Sequence, residues 1–175
     1  MNFEYLDLLE KKLDPVQKEC CCSEGNTIVA AGAGSGKTQV LATRFAWLVM
    51  SKGIPVSKIL TLTFTKKAAG EMYERIYKTL SFFAENPETP EAERKRAQEA
   101  IIDFSESKIK TLDSYCTGIV NQAANMYGIR PDFTSASADS RAASSSLWII
   151  STPVTSRPSA ASSTEIRPSP QPASR

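Results

Sequence analysis

Residues 31–38 read Ala31-Gly32-Ala33-Gly34-Ser35-Gly36-Lys37-Thr38. The glycines let successive backbone N–H groups turn inward around an anion. A helix starting at Lys37 adds its unsatisfied N–H groups and the positive end of its dipole. The chemistry this predicts is binding of a nucleoside triphosphate. Residues 31–36 cradle the phosphates, the Lys37 ammonium meets the β- and γ-phosphates, and the Thr38 hydroxyl holds Mg²⁺, so ATP and Mg²⁺ are the expected ligands. Lys37 and Thr38 are the candidate catalytic residues, and Thr38 is also the metal residue. The strict pattern has Gly where this chain has Ala31. The plainer alternative is a glycine-rich turn that merely joins strand to helix. Gly-Lys-Thr between a β-branched strand and an amphipathic helix argues against it.

The elements that must position this loop are legible on either side. Residues 2–11 read as a short helix. Asp14-Pro15 starts a second, with Asp as N-cap and Pro in the first turn. Residues 26–31 include Thr-Ile-Val-Ala-Ala, read as a buried strand. Lys37 to Ser51 is a helix with Val40, Leu41, Phe45, Leu48 and Val49 inward, closed by Gly53. Residues 59–64 are a second strand, and 66–83 a helix with Ala69, Met72, Ile76 and Leu80 on one face. Residues 91–105 form a charged helix, 108–112 a third strand, and 114–126 a last helix before Gly128. Three strand–helix alternations predict an α/β fold around a parallel sheet.

Composition excludes other chemistries. The 175 residues carry 21 Lys and Arg against 19 Asp and Glu, so the net charge of +2 gives no global basic field for nucleic acid. There is no His, which removes histidine bases, histidine metal ligands and Ser-His or Cys-His pairs. Cys20, Cys21 and Cys22 are adjacent and Cys116 is remote, a spacing that suits neither a disulfide nor a metal site. No apolar run approaches the roughly 20 residues that cross a bilayer. Glu4, Asp7 and Glu10 are wrong for a secretory signal. A cytoplasmic protein without membrane contact is expected.

Four landmarks occur in order: Leu13-Asp14-Pro15-Val16-Gln17, the phosphate loop, Thr61-Leu62-Thr63-Phe64-Thr65-Lys66-Lys67-Ala68-Ala69-Gly70-Glu71-Met72, and Thr111-Leu112-Asp113-Ser114-Tyr115-Cys116. Together they resemble the first RecA-like domain of superfamily-one DNA helicases, the UvrD/Rep/RecB/AddA group, over about 120 residues. The resemblance implies that Gln17 reads the adenine edge. A capping box between Asp14 and Gln17 is the structural alternative. It implies that Thr63, Phe64 and Thr65, with Thr111, Ser114 and Tyr115, line a single-stranded DNA track. There Phe64 stacks a base and hydroxyls or N–H groups hold phosphate. Phe64 as core and Thr65 as helix cap are the alternatives. Asp113 stands where a histidine is common, and Lys66 where many relatives have Asn. The implied partners are single-stranded DNA and a helicase–nuclease partner subunit.

The resemblance also implies a strand ending in Asp-Glu and a second RecA-like domain, and neither is read here. Residues 135–175 change character, with 13 Ser, 7 Ala, 5 Pro and no Gly or Lys. Such a segment buries too little apolar surface to order itself, so disorder is expected. The expected organisation is a partial RecA-like P-loop NTPase domain over 1–134, then a low-complexity Ser/Ala/Pro/Arg-rich tail over 135–175. Loss of the reading frame near Thr134 is the favoured explanation of the change; a genuine linker is the other. The expected function is the ATP-binding, DNA-contacting fragment of a 3′→5′ helicase or helicase–nuclease subunit, inactive by itself. The alternatives are a stand-alone nucleotide-binding module and another P-loop NTPase such as a kinase.

Overall fold

The computed structural model describes residues 4–9, 12–32, 34–124, 128, 149–151 and 162–165. Five helices carry the fold: α1 Pro15–Cys22, α2 Lys37–Met50, α3 Lys66–Glu85, α4 Glu91–Ile102 and α5 Leu112–Ala123. The strands are β1 Thr27–Ala30, β2 Leu60–Thr63, β3 Lys108–Thr111, β4 Ile149–Ser151 and β5 Ser162–Glu165. Strand and helix alternate through β1-α2, β2-α3 and β3-α5, as the pattern predicts. β2 and β3 pair in parallel, with Thr63 level with Thr111.

α2 is the centre of the core. Phe45, Ala46 and Met50 are fully buried, with Trp47, Leu48 and Val49 close behind. Met72, Ile76, Leu80 and Phe83 give α3 one wholly buried stripe at helical spacing. Phe104 joins the layers, its ring 6.4 Å from Phe45 and 4.7 Å from Tyr73, in edge-on and tilted geometries.

Open carbonyls at helix C-termini are met by side chains from later elements. Arg96 of α4 donates to Met50 O at 2.6 Å, and Gln98 donates to Ala84 O at 3.2 Å. Gly53, at φ +66°, turns the chain after α2 so that Ile54 N–H reaches Leu48 O at 3.1 Å. That backbone region costs a residue with a Cβ about 1 kcal/mol or more.

The structure departs from the sequence pattern at three places. Near the N-terminus the described turn is a 3-10 helix over Glu4–Leu8 rather than a helix over 2–11. β1 is not buried: Ile28 is 72 % exposed and Val29 37 %. The cause is topological, since β1 pairs with β5 in a two-stranded sheet while β2 lies between β3 and β4 in another. The one parallel sheet expected is thus two sheets among the described residues. Within 135–175 the described residues include two short strands, β4 and β5. β5 runs parallel to β1 with Glu165 level with Ala30, and β4 runs antiparallel to β2. Bare strand edges carry unpaired N–H and C=O groups, and a Ser/Thr/Ile segment can satisfy them whatever its hydropathy. The other tail residues lie outside the described residues.

Tyr5 links the N-terminal turn to the end of α2, its hydroxyl 2.5 Å from Ser51 Oγ and its ring edge-on to Phe83. Burial pushes the Tyr5 phenol up to about 12 from an ordinary 10. The unfolded phenol ionises first as pH rises. The stabilisation is therefore complete below pH 10 and is lost between pH 10 and about 12. Urea denaturation should show a fall of about 2 kcal/mol across that window, and Tyr5→Phe should flatten it. An equal slope in the variant would contradict the assignment.

Candidate functional site

β1 delivers the chain into the glycine loop at Ala31, and α2 begins at Lys37. Gly36 is the N-cap of α2 at φ 77°, ψ 17°, and no side chain caps the helix. The first-turn N–H groups of α2 therefore face the loop without a capping oxygen, the arrangement that receives an anion. Gly34 also has φ +77°. Space around a Cβ is open at Gly32 and Gly34, while at Gly36 a Cβ would lie 3.2 Å from Gln17 Nε2. Ala33 lies outside the described residues.

The loop is closed on itself. Lys37 Nζ donates to Ala31 O at 3.0 Å and to Gly32 O at 2.6 Å. Ser35 Oγ donates to Gly32 O at 2.8 Å. The ammonium thus sits among loop carbonyls and would exchange them for phosphate oxygens, a stronger charge-assisted partner. Thr38, half-buried in the first turn of α2, stands beside it. The residues fit a triphosphate: an uncapped helix start, glycines at positive φ, and one lysine. Among the described residues no group of three or more His, Cys, Asp or Glu could hold a metal ion. Thr38 could hold Mg²⁺ only jointly with the phosphates.

Gln17 serves two partners at once. Its Oε1 accepts from Asp14 N at 3.1 Å, while its own N–H donates to Asp14 Oδ1 at 2.8 Å, completing the capping box. Its Nε2 donates to Ser35 O at 3.1 Å. The structural alternative for Gln17 is therefore realised, and it brings the residue onto the loop. Adenine contact would use the second Nε2 hydrogen or the second Oε1 lone pair.

A second group of residues meets at the C-terminal ends of β2 and β3. The register of Thr63 with Thr111 sets 63–65 beside 111–115. Thr63 is buried, which turns its side chain from solvent. Phe64 is 46 % exposed, so it is not core. Thr65 Oγ1 accepts from Ala68 N at 3.1 Å and caps α3, and Thr111 Oγ1 accepts from Ser114 N at 3.1 Å and caps α5. Both hydroxyls act there as acceptors and keep an O–H proton to donate. Ser114 is exposed and Tyr115 half-buried. The starts of two helices, an exposed aromatic and hydroxyls thus share one edge. No described strand joins this edge to β1, so the sheet does not link it to the phosphate loop.

A separate cleft of about 500 Å³ opens beside α2, lined by Leu9, Gln39, Glu71, Glu74, Arg75 and Phe82 among others. Sequence reasoning missed Arg44. It is a lone charge on a helix whose other middle residues are mostly apolar, and that isolation is the signal that could have found it. Burial lowers its pKa.

The UvrD/REP helicase N-terminal domain model matches residues 13–165. The chain belongs to the UvrD/REP helicase N-terminal domain family. The match passes residue 134, where the sequence pattern shows no further landmark. The chain is similar to an ATP-dependent helicase/nuclease subunit of Streptococcus thermophilus, with 37 % identity over 125 residues, 71 % of this chain and 10 % of that protein. The protein of the same name from Syntrophomonas wolfei is 40 % identical over 108 residues, 62 % of this chain and 8 % of the relative. The ATP-dependent DNA helicase UvrD1 of Mycobacterium leprae is 49 % identical over 72 residues, 41 % of this chain and 9 % of the relative. The chain thus spans about a tenth of the length of these relatives. No helix among the described residues is long and apolar enough to cross a membrane.

Gly36 and Gly32 separate loop geometry from loop composition. Gly36→Ala must hold a Cβ at positive φ against Gln17, so it should lower Tm and weaken nucleotide binding. Gly32→Ala meets open space and should leave Tm nearly unchanged. Equal effects in thermal melts and nucleotide titrations would contradict the described loop.

Proposed function

We propose that this chain is the ATP-binding, single-stranded-DNA-contacting portion of a UvrD-like 3′→5′ DNA helicase or helicase–nuclease subunit. The observation that carries it is the uncapped start of α2 with Lys37 folded into the glycine loop, in a chain of this helicase family. Residues 31–36 turn N–H groups toward the phosphates, and Lys37 neutralises their charge. Thr38 would help hold Mg²⁺, which supplies charge neutralisation at the β- and γ-phosphates. Gln17, seated on Ser35 O, is the adenine-side residue. Phe64, Thr65, Thr111, Ser114 and Tyr115 contact single-stranded DNA at the paired ends of β2 and β3, with buried Thr63 supporting them from within. The names of two relatives support a nuclease-associated partner subunit.

The sequence holds no Asp-Glu pair to position Mg²⁺ and activate water. The chain by itself should therefore bind ATP and turn it over slowly. Asp132 and Asp139 lie outside the described residues, as does any side-chain account of Glu165.

Two substitutions test the reading. Lys37→Ala should weaken Mg·ATP binding at least about tenfold, consistent with loss of a charge-assisted partner, while oligo(dT) binding persists. ATP affinity unchanged in that variant would refute the phosphate assignment. Phe64→Ala should weaken oligo(dT) binding by about 1–3 kcal/mol, the worth of one base–aromatic stack, and leave ATP binding intact. A larger loss for ATP than for oligo(dT) would return Phe64 to a packing role.

A further inference from the structure

Arg44 lies seven positions beyond Lys37 on α2, away from the phosphate loop. Its Nη1 donates to Cys20 O at 3.1 Å, Cys21 O at 3.0 Å, Ser23 O at 3.0 Å and Ser23 Oγ at 3.0 Å. The two N–H bonds of that nitrogen are shared among four oxygens. Cys20 and Cys21 belong to the last turn of α1, whose carbonyls have no intrahelical partner. A guanidinium there meets both the open acceptors and the negative end of the helix. The Arg44 head is 5.9 Å from the centre of the Trp47 ring, within cation–π range.

α1 has only eight residues, well short of what sustains a helix in isolation. It is pinned at three heights. At its end stands Arg44. In its last turn the buried Cys21 thiol, held protonated by burial, donates to Val40 O at 3.2 Å. Near its start Gln17 Nε2 reaches Ser35 O at 3.1 Å. The first two pins come from α2, the helix whose first turn forms the phosphate site.

We propose that Arg44 is a positioning residue for nucleotide-base recognition: by clamping the C-terminal end of α1 onto α2, it holds Gln17 at the other end of α1 in register with the phosphate loop. The proposal rests on the reading of Gln17 and Lys37 as the adenine and phosphate residues. Its consequence is selective. Triphosphate affinity depends on α2 and the loop, whereas the added affinity for the base depends on where α1 stands. Arginine suits the task because its guanidinium keeps its charge in a part-buried place, where a lysine ammonium loses it more readily.

The test is calorimetric titration of the full chain with Mg·ATP and with Mg·tripolyphosphate. The unaltered chain should bind ATP the more tightly. Arg44→Met should shrink that ATP advantage by about tenfold with tripolyphosphate affinity unchanged. Gln17→Ala should shrink it similarly, and the double variant should go no further than either single one. Arg44→Lys should recover part of the advantage, and it carries the comparison if circular dichroism shows the Met variant unfolded. The proposal is overturned if Arg44→Met weakens both ligands alike, leaves the ATP advantage intact, or adds independently to Gln17→Ala. An unaltered chain that binds both ligands equally would instead overturn the adenine reading beneath it.

Discussion

Past its first turn α2 is enclosed by its neighbours, from Val40 to Met50, and this enclosure fixes everything that the loop before it can do. A helix buried over its middle and end cannot pivot, so the N–H groups at its start have one direction in space. Burial of Phe45, Trp47, Leu48 and Met50 each removes apolar surface worth about 1.5–3 kcal/mol from water. The polar ties then act on a helix already in place. Arg96 closes its far end, Cys21 touches it through Val40 O, and Arg44 reaches from it to α1.

Polar satisfaction around the loop shows how the site is kept ready. The Lys37 ammonium, Ser35 hydroxyl and Gln17 amide all bond to loop carbonyls. These bonds prevent the glycine-rich segment from sampling its wide conformational range. They are also replaceable, because neutral carbonyls are weaker partners for an ammonium than phosphate oxygens. The same groups therefore hold the loop when it is unliganded and are the ones that a triphosphate would recruit.

The periphery is held less tightly than this centre. α5 has no buried residue, with Leu112, Ile119 and Val120 all substantially exposed, and β1 shows Ile28 to solvent. Both lie on elements that carry proposed contacts: β1 leads into the loop, and α5 is capped by Thr111. The strands β4 and β5 pair with β2 and β1 through backbone ladders, a demand that any extended segment can meet.

Local rules are visible in the sequence wherever neighbours along the chain decide the outcome. Asp14-Pro15 starts α1, Thr65 caps α3, Gly53 ends α2, and Met72, Ile76 and Leu80 line one face, all from spacing within a turn or two. The glycine loop with Lys37 and Thr38 is legible for the same reason. The tertiary structure decided what depends on partners remote in sequence. Thr63 is buried at the end of β2, which lies between β3 and β4, while Phe64 just beyond it is exposed, and β1 stands apart beside β5. Arg44 became visible as a clamp only once α1 and α2 lay side by side, since its four oxygens are 21 to 24 positions away. Periodicity says which side of a helix is apolar; it cannot say which carbonyls another helix will bring to a charge in its middle.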